Sequence, residues 1–268
     1  MQNTKIDITR AVEDTTRVRV LGIEIDPLTV AELNARVGKI IEQKQKGLVL
    51  NVNTHAMNIA YEQPWFHAFL REAHVMYCDG AGVQLAAGLL GRRIPRRICL
   101  SDWQWDLAEY CDQRGYTLYF LGAAPGVAQA AAEKFCERFP AIQILGTRHG
   151  YFDRRGPENE EVVREINRLH PNILIVCLGM PLQEEWLRCN WQRLDVNVFI
   201  SGGACLDFAS RRVRRCPNWM SENGLEWLFR LTLEPRRLFR RYVIGNPLFL
   251  LRVLLHGRTI EAQTEVAS

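Results

Sequence analysis

Six short apolar runs constrain the fold of this chain more than any other feature. They are GLVLNVN (47–53), HVMYCD (74–79), YTLYFLG (116–122), AIQILG (141–146), NILIVCLG (172–179) and VNVFISGG (196–203). Runs that are apolar almost without alternation suit strands covered on both faces. Between and around them, segments near 54–62, 80–90, 102–114, 126–138, 158–169 and 181–193 repeat apolar residues at helical spacing. Strands and helices taking turns predict an α/β fold: a mostly parallel sheet with helices on both faces. Upstream, RVRVLGIEID (17–26) reads as one more strand by its alternation. Pro27-Leu28-Thr29 then opens a helix carrying Val30, Leu33, Val37, Ile40 and Ile41.

Near residue 210 this rhythm stops. Beyond it the chain is Leu, Phe, Trp and Arg in helical register, so the reading divides it into a loosely ordered segment (1–17), the α/β domain (18–210), a helical basic appendage (211–258) and a frayed tail (259–268). Charge respects the same boundary. The formal net charge is +4, yet residues 211–258 hold eleven arginines against three glutamates, which leaves the body mildly acidic. A basic, apolar-rich tail fits an anionic partner, with a membrane surface as the first candidate.

The first residues lack an apolar core of the kind secretion signals carry, and no run of about 18 apolar residues suits a membrane span. The eight cysteines include no C-x-x-C pair, so the reading is buried free thiols in a reducing compartment, in a protein that is cytosolic or lies on a membrane surface.

Chemistry concentrates where the predicted strands end. HVMYCD closes on Asp79, and Gly80 and Gly82 come directly after it. Asp is a competent helix cap, but the carboxyl ends of strands in open α/β sheets are also where ligands bind. Asn51, Asn53 and Thr54 stand where another strand meets a helix, and Asn53 or Thr54 is an equally good N-cap. Gly122, Ala123 and Pro125 form a strand–turn–helix junction able to offer backbone N–H groups to a phosphate. Gly179 and Pro181 lead into Gln183, whose neutral amide suits a sugar hydroxyl or a phosphate. Gly203 precedes Asp207. Amides and acids at four or more strand ends favour a ligand cleft over coincidence. The chain has no G-x-G-x-x-G, Walker loop, G-x-S-x-G or clustered His/Cys set, and Glu24-Ile25-Asp26 reads as structural, so no metal and no cofactor are expected.

The succession NVN, YCDGAGVQL, LGAAPG, HGYF, LGMPLQE, SGGACLDF-RRVRRCP and GLEWLFRLTLEPRRLFRRY resembles the WecG/TagA/CpsF family of glycosyltransferases, over about residues 20–255 and in the family's order. The resemblance implies a Rossmann-like core and an appendage that helps close the active site and docks on the bilayer. It further implies inverting transfer of a hexose from a UDP-sugar to a saccharide on a polyprenyl diphosphate, at the cytoplasmic face of the membrane. UDP-glucose and UDP-N-acetylmannosamine (or its uronic acid) are the donors it suggests. By the same resemblance Asp79 matches the catalytic base, Gln183 a glutamine near the reacting centre and Asp207 a residue of the segment approaching the nucleotide. Arg230, Arg237 and Arg240 match arginines reaching the diphosphate. Asn53 is retained from the family's T-x-N pattern, whereas Asn51 stands where some members have Thr. At neutral pH an Asp of ordinary pKa, about 3.9, would be ionised and ready to accept a proton.

Two rival readings remain beside it. A nicotinamide-dependent oxidoreductase lacks its glycine fingerprint here. A non-enzymatic membrane or nucleic-acid binder would use the basic tail, but no aromatic stacking platform for nucleic acid is evident, so nucleic acid is not expected as a partner. Apolar residues in the tail leave self-association open.

Overall fold

A computed structural model describes residues 17–266. The chain begins with β1 (Val18–Val20) and β2 (Ile23–Ile25), then α1 (Val30–Glu42), β3 (Gly47–Val52), α2 (Thr54–Glu62), α3 (Pro64–Arg71), β4 (Val75–Cys78), α4 (Ala81–Leu89) and α5 (Leu100–Arg114). Next come β5 (Thr117–Gly122), α6 (Val127–Arg138), β6 (Gln143–Arg148), α7 (Pro157–Leu169), β7 (Ile173–Cys177), α8 (Leu182–Asn190), β8 (Val198–Ser201) and α9 (Cys205–Ala209). The remainder is helical: α10 (Asn218–Glu222), α11 (Glu226–Leu233), α12 (Pro235–Phe239), a π-helical turn (Arg240–Ile244) and α13 (Gly245–Val266).

Strands β3 to β8 form one parallel sheet in the order β4-β3-β8-β7-β5-β6. Its apolar runs serve two cores at once. Leu174 and Val176 of β7 enter a core with α2, α3, α4, α7 and α8, while Ile173, Ile175 and Cys177 enter the opposite core with α1, α5, α6 and α9. The period-2 geometry of a strand makes this division automatic, and it explains the lack of polar alternation. The predicted α/β layering is the observed one.

Three details differ from the sequence reading. RVRVLGIEID is not one strand but an antiparallel hairpin, because Leu21 and Gly22 take positive φ (46° and 80°) and reverse the chain. Asp26 then fastens the hairpin to β4: its Oδ2 accepts the Met76 N–H at 2.8 Å and its Oδ1 accepts Arg17 Nε at 3.1 Å, a structural duty as expected. Helix α3 has no counterpart in the sequence reading. The cysteines are free, but Cys136 and Cys189 are exposed, unlike the five that are buried.

The appendage packs back on the body. α13 lies against α2 and α4, with Phe249 and Val253 inside the first core. Thr54 Oγ1 donates to Asn246 Oδ1 at 2.6 Å, and Asn58 Nδ2 donates to the Gly245 carbonyl at 2.7 Å. Arg252 adds a clasp, reaching Asn58 Oδ1 at 2.9 Å and Glu62 Oε1 at 2.7 Å while stacking 4.5 Å from the Tyr61 ring centre. Among the described residues no helix is long and apolar enough to cross a membrane. The segment expected to fray, 259–268, is helical as far as Val266 and beyond that lies outside the described residues, as does the expected loose segment 1–17 except for Arg17.

Candidate active site

The connections diverge between the parallel neighbours β5 and β7: β5 leads outward to β6, whereas β7 leads inward to β8. Such a switch point opens a crevice beyond the carboxyl ends of the strands. A cleft of about 1290 Å³ lies along this edge, roofed by the appendage.

Asn51, Asn53, Asp79, Ala123, Gly179, Gly203, Asp207, Arg230 and Arg237 all line it, so strand ends far apart in sequence converge as expected. Gly122 sits behind the wall. It has φ +136°, and any Cβ there would overlap the Cys177 carbonyl, so only glycine lets β5 end this close to β7. Pro125 points outward from the same turn and Pro181 forms the N-cap of α8 rather than its first residue.

The two asparagines do different work. Asn51 is buried, and its Nδ2 donates to the Ser201 carbonyl at 2.8 Å and to Ser201 Oγ at 3.2 Å, tying β3 to the end of β8 under the cleft floor. Asn53 caps α2, its Oδ1 accepting the N–H groups of His55 and Ala56, both at 3.1 Å. The oxygen is used by the cap, and the Nδ2 group is the half of the amide left to face a ligand.

Gln183 is not at the cleft surface. It is fully buried, its Oε1 accepting the Gly203 N–H at 2.9 Å and its Nε2 donating to Glu184 Oε1 at 2.8 Å. Its amide therefore anchors the turn after β8, behind residues that line the cleft. Burial also pushes the Glu184 carboxyl up to about 7. Replacing Gln183 by Leu, similar in size, leaves the Gly203 N–H and Glu184 without this partner. A loss of about 2–3 kcal/mol in urea unfolding is expected.

Asp79, half-buried at the end of β4, lines the cleft floor. Its pKa is pushed up to about 7, first by burial and then by the nearby Glu226 carboxylate, against the pull of the Leu100 N–H, Arg97 and Arg230. The ordinary value assumed from the sequence is thus replaced by one near neutrality, because protein surrounds the carboxyl on most sides. Asp207 is raised as well, by burial, although Arg212, Arg237 and Arg230 counter it.

The opposite wall is cationic. Arg230 lies 5.5 Å from the Phe208 ring centre, and Arg237 pairs with Glu234 at 2.5 and 2.7 Å. Arg240 is exposed and does not line the cleft; Arg241 does, with its Nε buried and lacking a protein partner. The reason is local geometry: Arg240–Ile244 is π-helical, and the wider turn moves the inward position one residue along. Arg97 also lines the cleft and reaches Ser221 across to α10. The sequence reading does not single out Arg97, Glu226 or Arg241. The basic run RRIPRR just after α4 is the signal for Arg97, while Glu226 and Arg241 lie in a tail read for its net charge and for Arg230, Arg237 and Arg240.

Among the described residues no cluster of three His, Cys, Asp or Glu side chains is arranged to hold a metal ion. What the cleft does contain is a carboxyl titrating near neutral pH opposite several guanidinium groups.

Residues 18–263 match the model of the glycosyl transferase WecG/TagA/CpsF family. The chain is 28% identical over 218 residues to an N-acetylglucosaminyldiphosphoundecaprenol N-acetyl-beta-D-mannosaminyltransferase of Bacillus spizizenii, covering 81% of this chain and 82% of that protein. It is 24% identical over 250 residues to a Staphylococcus aureus protein of the same name, covering 92% and 96%. The family match spans nearly all of the α/β body and the appendage, and the chain accordingly belongs to the WecG/TagA/CpsF family of glycosyl transferases.

Proposed function

We propose that this glycosyltransferase moves a hexose from a UDP-sugar to a saccharide carried on a polyprenyl diphosphate, with inversion and without a metal ion. The observation that carries the reading is Asp79 on the cleft floor facing a wall that includes Arg97, Arg230, Arg237 and Arg241. An acceptor hydroxyl attacks the anomeric carbon and its proton passes to an Asp79 oxygen. The bond from that carbon to the diphosphate oxygen breaks, and UDP leaves with the electron pair. Charge growing on the leaving group is met by guanidinium groups already in place, the arrangement that most lowers such a barrier. A single displacement with one base inverts the anomeric centre.

The relatives' names make N-acetylmannosamine the leading donor sugar and N-acetylglucosaminyl diphosphoundecaprenol the leading acceptor. Membrane contact follows from the acceptor's lipid. Trp219, Phe239, Val243, Ile244, Leu251, Leu254 and Leu255 are exposed on the appendage together with Arg236 and Arg240, the composition of a surface that rests in a lipid headgroup layer at the cytoplasmic side.

The test is UDP release from a panel of UDP-sugars with a short-chain polyprenyl-diphosphate saccharide, in the presence of EDTA. Acceptor-dependent turnover with one donor is expected; turnover abolished by EDTA and restored by a divalent cation would overturn the metal-free reading. Because the base must be ionised, kcat/KM should rise as pH climbs through about 7, the value for Asp79 in the free enzyme. A profile flat between about pH 5.5 and 8.5 would remove Asp79 from this role.

A further inference from the structure

The leaving group and the base make opposite demands on this cleft. Guanidinium groups that stabilise a departing diphosphate also stabilise an ionised carboxylate, and a carboxylate held by several arginines is a poor proton acceptor. Asp79 is faced by Tyr77 and Cys78 from β4, by Arg97 and Cys99 from the loop before α5, by Glu226 and Arg230 from α11, and by Arg241 from the π-helical turn. The arginines in this set pull Asp79 toward its ionised form. Glu226 is the acidic member that opposes them.

Geometry places the two carboxylates at one structural feature. The Ile98 N–H donates to the Cys78 carbonyl at 2.7 Å, which holds the approach to α5 against the strand end that carries Asp79. The next residue, Cys99, is the N-cap of α5, its side chain makes no capping bond, and its thiol donates to Glu226 Oε2 at 3.6 Å. Asp79 and Glu226 therefore flank the start of the same 15-residue helix, where backbone N–H groups favour negative charge, and both line the cleft there. Glu226 reaches this position from the first turn of α11 and lines the cleft itself.

Resting on the reading of Asp79 as the base, we propose that Glu226 is a positioning residue for it: the Glu226 carboxylate offsets the arginine wall, so that Asp79 keeps enough affinity for a proton to take it from the acceptor hydroxyl. The appendage thereby supplies both the cations for the leaving group and the anion that keeps those cations from disarming the base.

The experiment uses the full chain. Glu226→Gln removes the charge and keeps the shape; pH–rate profiles with the active UDP-sugar and the soluble acceptor are compared with a 13C-carboxyl NMR titration of Asp79. Both the acid limb and the Asp79 midpoint are expected to move down by about one pH unit. Glu226→Asp, which draws the carboxylate back by one methylene, should move both in the same direction by less, and it serves as the readout if the Gln variant folds poorly. A variant whose rate falls equally at every pH while the Asp79 midpoint stays put overturns the inference. A midpoint that moves while the acid limb does not overturns Asp79 as the base, and this role for Glu226 with it.

Discussion

Asp79→Asn is expected to lower transfer by about 10²–10⁴-fold, the usual worth of a positioned general base, and at the same time to make the protein harder to unfold. The first effect comes from losing the proton acceptor while the amide keeps the shape of the floor. The second comes from the cost of the wild-type charge. Asp79 has a folded pKa of about 7, above the 3.8 of an ordinary aspartate. Between these two values the native protein binds a proton that the unfolded chain releases, so this group's contribution to stability falls as pH rises through that window and stays at its lowest above about 7. Asparagine carries no charge and avoids the loss. Because Asp79 is half-buried in the lining of the cleft, solvent reduces the gain, and the expected Tm increase at pH 8 is about 2–4 °C, equivalent to about 1 kcal/mol in a chain this size. At pH 5 the increase should be smaller. Melting curves at both pH values, beside activity, check the pair of outcomes; a variant that is inactive and less stable at pH 8 would mean that the substitution had damaged the floor itself.

The second large effect separates two neighbouring arginines. Arg241→Met is expected to reduce kcat/KM by about 10²–10³-fold, the range seen when one preorganised donor to a developing negative charge is removed. Arg240→Met should stay within about threefold with a soluble acceptor, as for an exposed charge worth less than about 1 kcal/mol. The contrast rests on Arg241 lining the cleft with a buried Nε while Arg240 is exposed. Equal losses in the two variants would contradict the assignment. With liposome-borne acceptor, Arg240→Met should cost more than it does in solution, and more so as anionic lipid is added.

These neighbours also mark where sequence reasoning stops. In a regular α-helix, Arg240 stands three residues after Arg237 and shares its face. The π-helical turn at Arg240–Ile244 changes that phase, and no residue type in RRYVI announces it. Gln183 lies behind the cleft surface for another reason. A glutamine after a strand end looks like a ligand contact, but its direction depends on Gly203 and Glu184, and the Gly203 partner enters the neighbourhood only once β8 pairs beside β7. By contrast, Asp79, Asn53 and the strand-end glycines are legible because apolar runs fix where parallel strands stop. All strands of such a sheet stop at the same edge when their connections are helical. The order of strands, and with it the switch point between β5 and β7, needs pairings that no local pattern encodes.

The fastening of α13 to α2 carries a mechanical consequence. Near one end of α2 stands Asn53, whose cap sets the direction of the helix at the cleft floor. Along its side Thr54, Asn58 and Glu62 hold α13 through Asn246, Gly245 and Arg252. The two helices are therefore fastened side by side, with the exposed leucines Leu251, Leu254 and Leu255 on α13 and the Asn53 cap at the cleft end of α2. A shift of α13 over the body must either break these contacts or carry α2, and its Asn53 cap, along with it.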